Sequence, residues 1–219
     1  MPSKIEICNL ALSQIRADNI NSLNEGSLEA DACRAVYDEA RWFVLRDAPW
    51  PFATETAALA LLDTNHPDGW AYVYDYPSTC LKLLKVGPSG YFRPTRTRGV
   101  LNPYEFRPYY DPPAYYPPLE YRVARVNSRR IILTDVDAAY AQTIVDVVDP
   151  TEFDAQFTQA LMWYIAAQVA VPIIGVERGR VLRNDALSMY RALIDQATAA
   201  AKNEASSIPP ADSEFITFR

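Results

Sequence analysis

One histidine and three cysteines are the side chains of this 219-residue chain best suited to nucleophilic, acid–base or metal chemistry, and their spacing gives that chemistry little to work with. His66 precedes Pro67 and Asp68 in a turn-forming run, so it reads as a surface turn histidine. A general base needs a nucleophile or acid within hydrogen-bond reach. Cys8, Cys33 and Cys80 contain no CxxC pair and read as reduced, buried thiols rather than zinc ligands or a disulfide. GxSxG, HExxH and a glycine-rich phosphate loop are all missing, and seven glycines leave few places for backbone to cradle a phosphate. Asp38/Glu39 and Asp135/Asp137 are carboxylate neighbours, but neighbours on one segment read as solvated charge before they read as the facing pair of a glycosidase. The expectation is a non-enzyme with no catalytic, cofactor-binding or metal-ligating residue.

Aromatic and basic side chains offer binding instead. Tyr72, Tyr74 and Tyr76, and the pairs Tyr109/Tyr110 and Tyr115/Tyr116, could stack sugars or bases, although strand packing and subunit contact are the simpler readings. The formal net charge is −6, unevenly distributed. Residues 1–67 hold ten acids and five bases, whereas between Lys82 and Arg130 ten bases accompany only Glu105, Asp111 and Glu120. The arginines of that stretch, Arg122, Arg125, Arg129 and Arg130 among them, could meet phosphate. No helix-turn-helix or sheet-aromatic RNA motif accompanies them, and the acidic first third of another copy is the alternative partner.

The elements that must position these residues follow from periodicity. Ser3 and Glu6 form a capping box ahead of Ile5, Cys8, Leu12 and Ile15, predicting a helix over 3–17. Ser27 caps a second, with Ala32, Val36, Ala40 and Phe43 on its apolar stripe, ending at Ala48 because Pro49 follows. Ala57–Leu62 suggests a short helix. From Trp70 the period becomes two, placing Trp70, Tyr72, Tyr74 and Tyr76 on one strand face. Further strands are expected at 80–87, 119–126, 130–134 and 142–148, with a long proline- and tyrosine-rich loop over 88–118. Thr151 and Asp154 predict a third helix, broken by Pro172 and Gly175. A fourth, over 178–204, carries Leu182, Ala186, Met189, Leu193 and Ala197 on one face.

With 49% apolar residues the chain can bury a sizeable core. The longest apolar run, around Ala160–Ile174, is interrupted by Tyr164, Gln168 and Pro172. It falls short of the roughly 20 clean residues of a bilayer span, and no secretory signal is visible at the start. A soluble, cytoplasmically made α+β protein is the expectation. Its four-helix bundle comes from 1–67 and 151–205, with an inserted antiparallel β domain over 68–150 and a tail over 206–219. Pro49, Trp50, Pro51 and Phe52 stand at the first crossing from bundle to β part and read as a hinge plug: Pro49 ends the helix, the rings pack at the junction and Pro51 stiffens the exit.

Three blocks in this order resemble the tail tubular protein A, or head-to-tail adaptor, family of short-tailed bacteriophages. "INSLNEGSLEADACRAVYDEARWFVLRDAPWPFA" is similar to the family's opening helix pair, with Cys33, Tyr37, Arg41, Leu45, Arg46, Pro49, Trp50 and Phe52 at matching positions. "GWAYVYDYPSTCLKLLKV" looks like its entry into the β part, and "FDAQFTQALMWYIAAQVAVPIIG" like its long helix closing on a proline and glycine. The family usually has Trp-Asn-Phe where this chain has Trp50, Pro51 and Phe52. The resemblance implies a structural virion protein of the tail, made in the host cytoplasm and assembling with itself into a ring of about twelve subunits. Its partners would be the portal protein, the tail nozzle protein and passing double-stranded DNA read without sequence specificity, with no membrane contact. It implies a C-terminal arm, here Phe215, Ile216, Phe218 and Arg219, that docks on the portal. Since a cationic lumen would retard DNA, the arginine segment, together with Tyr109, Tyr110, Tyr115 and Tyr116, is expected at subunit contacts. A glycan-active or glycan-binding tail accessory protein is the rival reading, and a nucleic-acid binder the third.

Overall fold

Ser3 and Glu6 close the reciprocal cap expected of them: the Ser3 hydroxyl accepts from the Glu6 amide at 3.2 Å, and the Glu6 carboxylate accepts from the Ser3 amide at 2.6 Å. Two orphan donors are satisfied at once, and α1 (Lys4–Ile15) follows. The computed structural model describes residues 2–64, 66, 68–89 and 119–204. The 90–118 part of the central loop, with Tyr109, Tyr110, Tyr115 and Tyr116, and the tail residues Phe215, Ile216, Phe218 and Arg219 lie outside the described residues.

Ser27 caps α2 (Leu28–Asp47), which stops at an extended Ala48 before Pro49. The apolar stripe is rotated from the expected one: Cys33, Tyr37, Ala40, Val44 and Leu45 are buried, and Phe43 is exposed. The expected helix over Ala57–Leu62 is overturned. Ala57 and Ala58 end β1 (Thr54–Ala58), and Leu61 and Leu62 open β2 (Leu61–Thr64), because strand pairing outweighs the weak helical preference of an alanine-rich run.

The remaining strands are β3 (Tyr72–Asp75), β4 (Cys80–Gly87), β5 (Tyr121–Val126), β6 (Arg129–Thr134) and β7 (Tyr140–Val145). They form two antiparallel sheets, ordered β1-β7-β4 and β2-β3-β6-β5. Asn127 and Ser128 both adopt positive φ, the two-residue turn that suits a twisted hairpin, and so set Arg125 opposite Arg130. Tyr74, Val86, Ile132 and Ala141 fill a cluster between the sheets, joined at its margin by Tyr72 and Tyr76. Trp70 does not share that face: it precedes β3 and packs with Val73, Ile131 and Leu133 on the other side.

Asp154, not Thr151, caps α3 (Ala155–Ile174), its carboxylate accepting from the Phe157 amide. Thr151 lies instead in a 3-10 turn capped by Asp149, which accepts from the Thr151 amide at 2.9 Å. Pro172 does not break α3: its missing donor falls in the last turn, and the helix runs on to Gly175, whose φ of +92° ends it. α4 (Val176–Glu204) starts at once and returns along α3. Tyr190, rather than Met189, occupies its buried stripe; Met189 is exposed.

α1, α2 and α4 each pack against α3 and barely touch one another. That placement accounts for a helix apolar on all sides: ten of its residues are buried, Phe157, Leu161, Ile165 and Val169 among them. By length and composition this 20-residue helix is apolar enough to cross a membrane, so the expectation that the run falls short is corrected. Sheet residues Ile144, Leu81 and Leu84 complete the same cluster, giving helices on one sheet and that sheet on the second. The architecture is α+β, with four helices and two small antiparallel sheets.

Candidate functional site

After Pro49, Trp50 and Phe52 pack into an aromatic cluster, or plug. Trp50 is 1% exposed, and its indole N–H donates to the Val44 carbonyl at 2.8 Å, satisfying one of the orphan acceptors at the end of α2. Its ring meets Phe157 edge-on at 5.2 Å, and Phe52 meets the same Phe157 at 5.1 Å. Phe153 closes the group at 4.7 Å from Phe157. Pro51 opens a 3-10 turn that leads straight into β1. The plug thus joins the end of α2 to the start of α3.

Beside it, the Arg41 guanidinium is buried and donates to the Asp146 carboxylate and to the Val147 carbonyl at 2.8 Å. Trp42 donates its indole N–H to the other Asp146 oxygen at 2.9 Å. Consecutive residues of α2 therefore hold the segment after β7 by a charge-assisted pair, one whose rupture would leave a buried charge uncompensated.

Three of the four arginines expected at subunit contacts, Arg122, Arg129 and Arg130, have partners inside the chain. Arg129 makes a bidentate pair with Asp75, Nε to Oδ1 at 2.9 Å and Nη2 to Oδ2 at 2.7 Å, and these bonds hold the Asp75 carboxyl below its ordinary value. Arg130 lies 3.9 Å from the centroid of the Tyr76 ring, and Arg122 lies 3.7 Å from the Asp68 carboxylate. Burial pushes the Tyr76 hydroxyl up to about 12. Arg125 has no ion-pair partner among the described residues. Of the tyrosine ladder, for which strand packing is the simpler reading, Tyr74 turns inward: it is 1% exposed, donates to the Val136 carbonyl at 2.9 Å and accepts from the Ala139 amide at 3.2 Å, while Tyr72 and Tyr76 are half-buried.

His66 sits in a turn, its amide bonded to the Trp70 carbonyl at 2.8 Å and its Nδ1 accepting from the Asp68 amide at 3.2 Å. Cys8, Cys33 and Cys80 are free and buried. The Cys33 thiol beside it, and then burial, push the Cys8 thiol up, so it stays protonated. Among the described residues no three His, Cys, Asp or Glu side chains converge on a metal-sized site.

Sequence reasoning missed a groove of about 480 Å³ where α2 faces β4, lined by Glu39, Trp42, Phe43, Arg46, Asp47 and Lys82. Phe43 stacks on Tyr164 at 4.7 Å with an interplanar angle of 11°, and Tyr164 touches Tyr190 at 5.1 Å. The Tyr190 hydroxyl donates to Asp47 at 2.6 Å, and burial followed by that bond raises its pKa. Lys82 donates to the Arg46 carbonyl at 2.7 Å, capping the last turn of α2. Trp42 and Phe43 nevertheless remain 44% and 48% exposed. Adjacent aromatics on the outer side of an otherwise charged helix were the available signal, obscured by assigning Phe43 to the core. Glu39 and Asp47 are eight residues apart, about 12 Å along the helix, and Asp47 is already engaged by a phenol.

No family model matches the chain, and no curated protein matches it.

Proposed function

We propose that this chain is a structural virion protein, the head-to-tail adaptor subunit whose ring joins the portal to the tail nozzle and surrounds part of the DNA ejection path. The observation that carries the reading is the order of the three sequence blocks: helix pair into Pro49–Phe52, aromatic strand into the Cys80–Val86 strand, and long apolar helix into Pro172 and Gly175. In this reading the helices form a four-helix bundle with the strands inserted between its halves, and the protein does no covalent chemistry. Each subunit presents two different surfaces to its neighbours, since a closed ring is built from heterologous contacts. The C-terminal residues 206–219 serve as the portal-docking arm.

The test is the light-scattering mass of the full chain, alone and mixed with the portal ring of the same genome. A defined multi-subunit gain on the portal is the expected outcome. No gain from verified folded protein sinks the reading. The glycan-binding alternative now draws on Trp42 and Phe43 rather than on the strand tyrosines, and it predicts cosedimentation with cell-wall glycan that Trp42→Ala abolishes.

A further inference from the structure

We infer that the contact between neighbouring subunits, in the ring proposed above and resting on that reading, is made by the outer face of α4 of one copy against the outer face of α2 of the next. Complementary charge is the first ground. α2 carries five carboxylates, of which Asp31, Asp38 and Asp47 are engaged within the chain by Arg34, by Lys4 and Arg41, and by Tyr190, leaving Glu29 and Glu39; its exposed bases are Arg34 and Arg46, because Arg41 is buried under Asp146. Over residues 176–195, α4 carries Arg178, Arg180, Arg183 and Arg191 against Glu177, Asp185 and Asp195.

Availability is the second ground. Of the four arginines named from composition, Arg122, Arg129 and Arg130 are engaged by Asp68, Asp75 and Tyr76, and Arg125 is not. None of the four α4 arginines has a carboxylate within ion-pair distance among the described residues, and Glu39 has no base within that distance among them. Apolar surface accompanies the charge on both sides: Val181 is 59% exposed on α4, and Trp42 is 44% exposed on α2. Charged rims around exposed apolar side chains steer a specific contact and penalise the wrong register. The two faces belong to different helices and complement each other rather than themselves. The contact is therefore heterologous, the kind that closes a ring.

The test is a charge swap in the full chain, read as light-scattering mass alone and on the portal ring. Arg180→Glu with Arg191→Glu, both exposed positions, leaves the unfolding midpoint unchanged and raises the concentration needed for assembly at least about tenfold. Adding Glu39→Arg recovers part of that loss, which a merely destabilised variant cannot do. Assembly indifferent to the double reversal overturns the inference and leaves the adaptor reading standing. A wild-type chain that gains no mass in either setting overturns both. Duplex DNA retained by the wild type and released by the reversal, with mass unaffected, assigns the arginines to nucleic acid and also overturns the inference.

Discussion

Arg129 holds Asp75 through two parallel hydrogen bonds across neighbouring strands, one end of β6 gripping one end of β3. A bidentate pair of this kind orients both side chains, so Arg129 is a structural residue before it is an interface residue. The sign of its pH dependence follows from the lowered Asp75 pKa. The contribution is fully present above the unfolded carboxyl value of about 3.9 and is lost as pH falls through the lower folded value. Asp75→Asn should therefore flatten the acid side of the stability profile. Urea unfolding of both proteins between about pH 5 and 2 checks it, and parallel profiles would refute it.

Trp50 is the largest of the fully buried side chains and sits where α2, the start of β1 and α3 meet. Trp50→Ala should cost about 3 to 5 kcal/mol, the range of large-to-small core changes. Trp50→Phe should cost less, since it keeps the contact with Phe157 and loses the hydrogen bond to Val44. Denaturant midpoints at unchanged slope separate the two. Equal stability of Trp50→Ala and wild type would remove the plug from the account of the junction.

Gly179 lets the backbone of α4 approach that of α3 closely. A methyl there would lie 2.7 Å from the Ala170 carbonyl oxygen and 2.8 Å from Val171 Cα, both backbone atoms with no rotamer to yield. Although alanine favours helices, Gly179→Ala should destabilise by about 1 to 3 kcal/mol through overpacking. A rise in thermal midpoint would mean that the two helices can separate freely at this point.

Local chemistry was legible in the chain itself. The Ser3–Glu6 and Ser27 caps and the stop before Pro49 depend on neighbours a few residues away, and they appear in the fold, as does the strand at 80–87. Long-range pairing was not legible. Thr54–Ala58 becomes a strand because β7 lies beside it, and Leu61–Thr64 because β3 does. A helical phase read from apolar spacing carries an error of one position, which moved Phe43 and Met189 outward and Tyr190 inward. Composition by itself determined that arginines gather between Lys82 and Arg130 and that the first third is acidic. Only the tertiary structure decided which charges are available: hydrogen bonding and ring contact engage Arg129 and Arg130 at short range, and the α4 arginines remain without an acidic partner among the described residues because no carboxylate lies within reach.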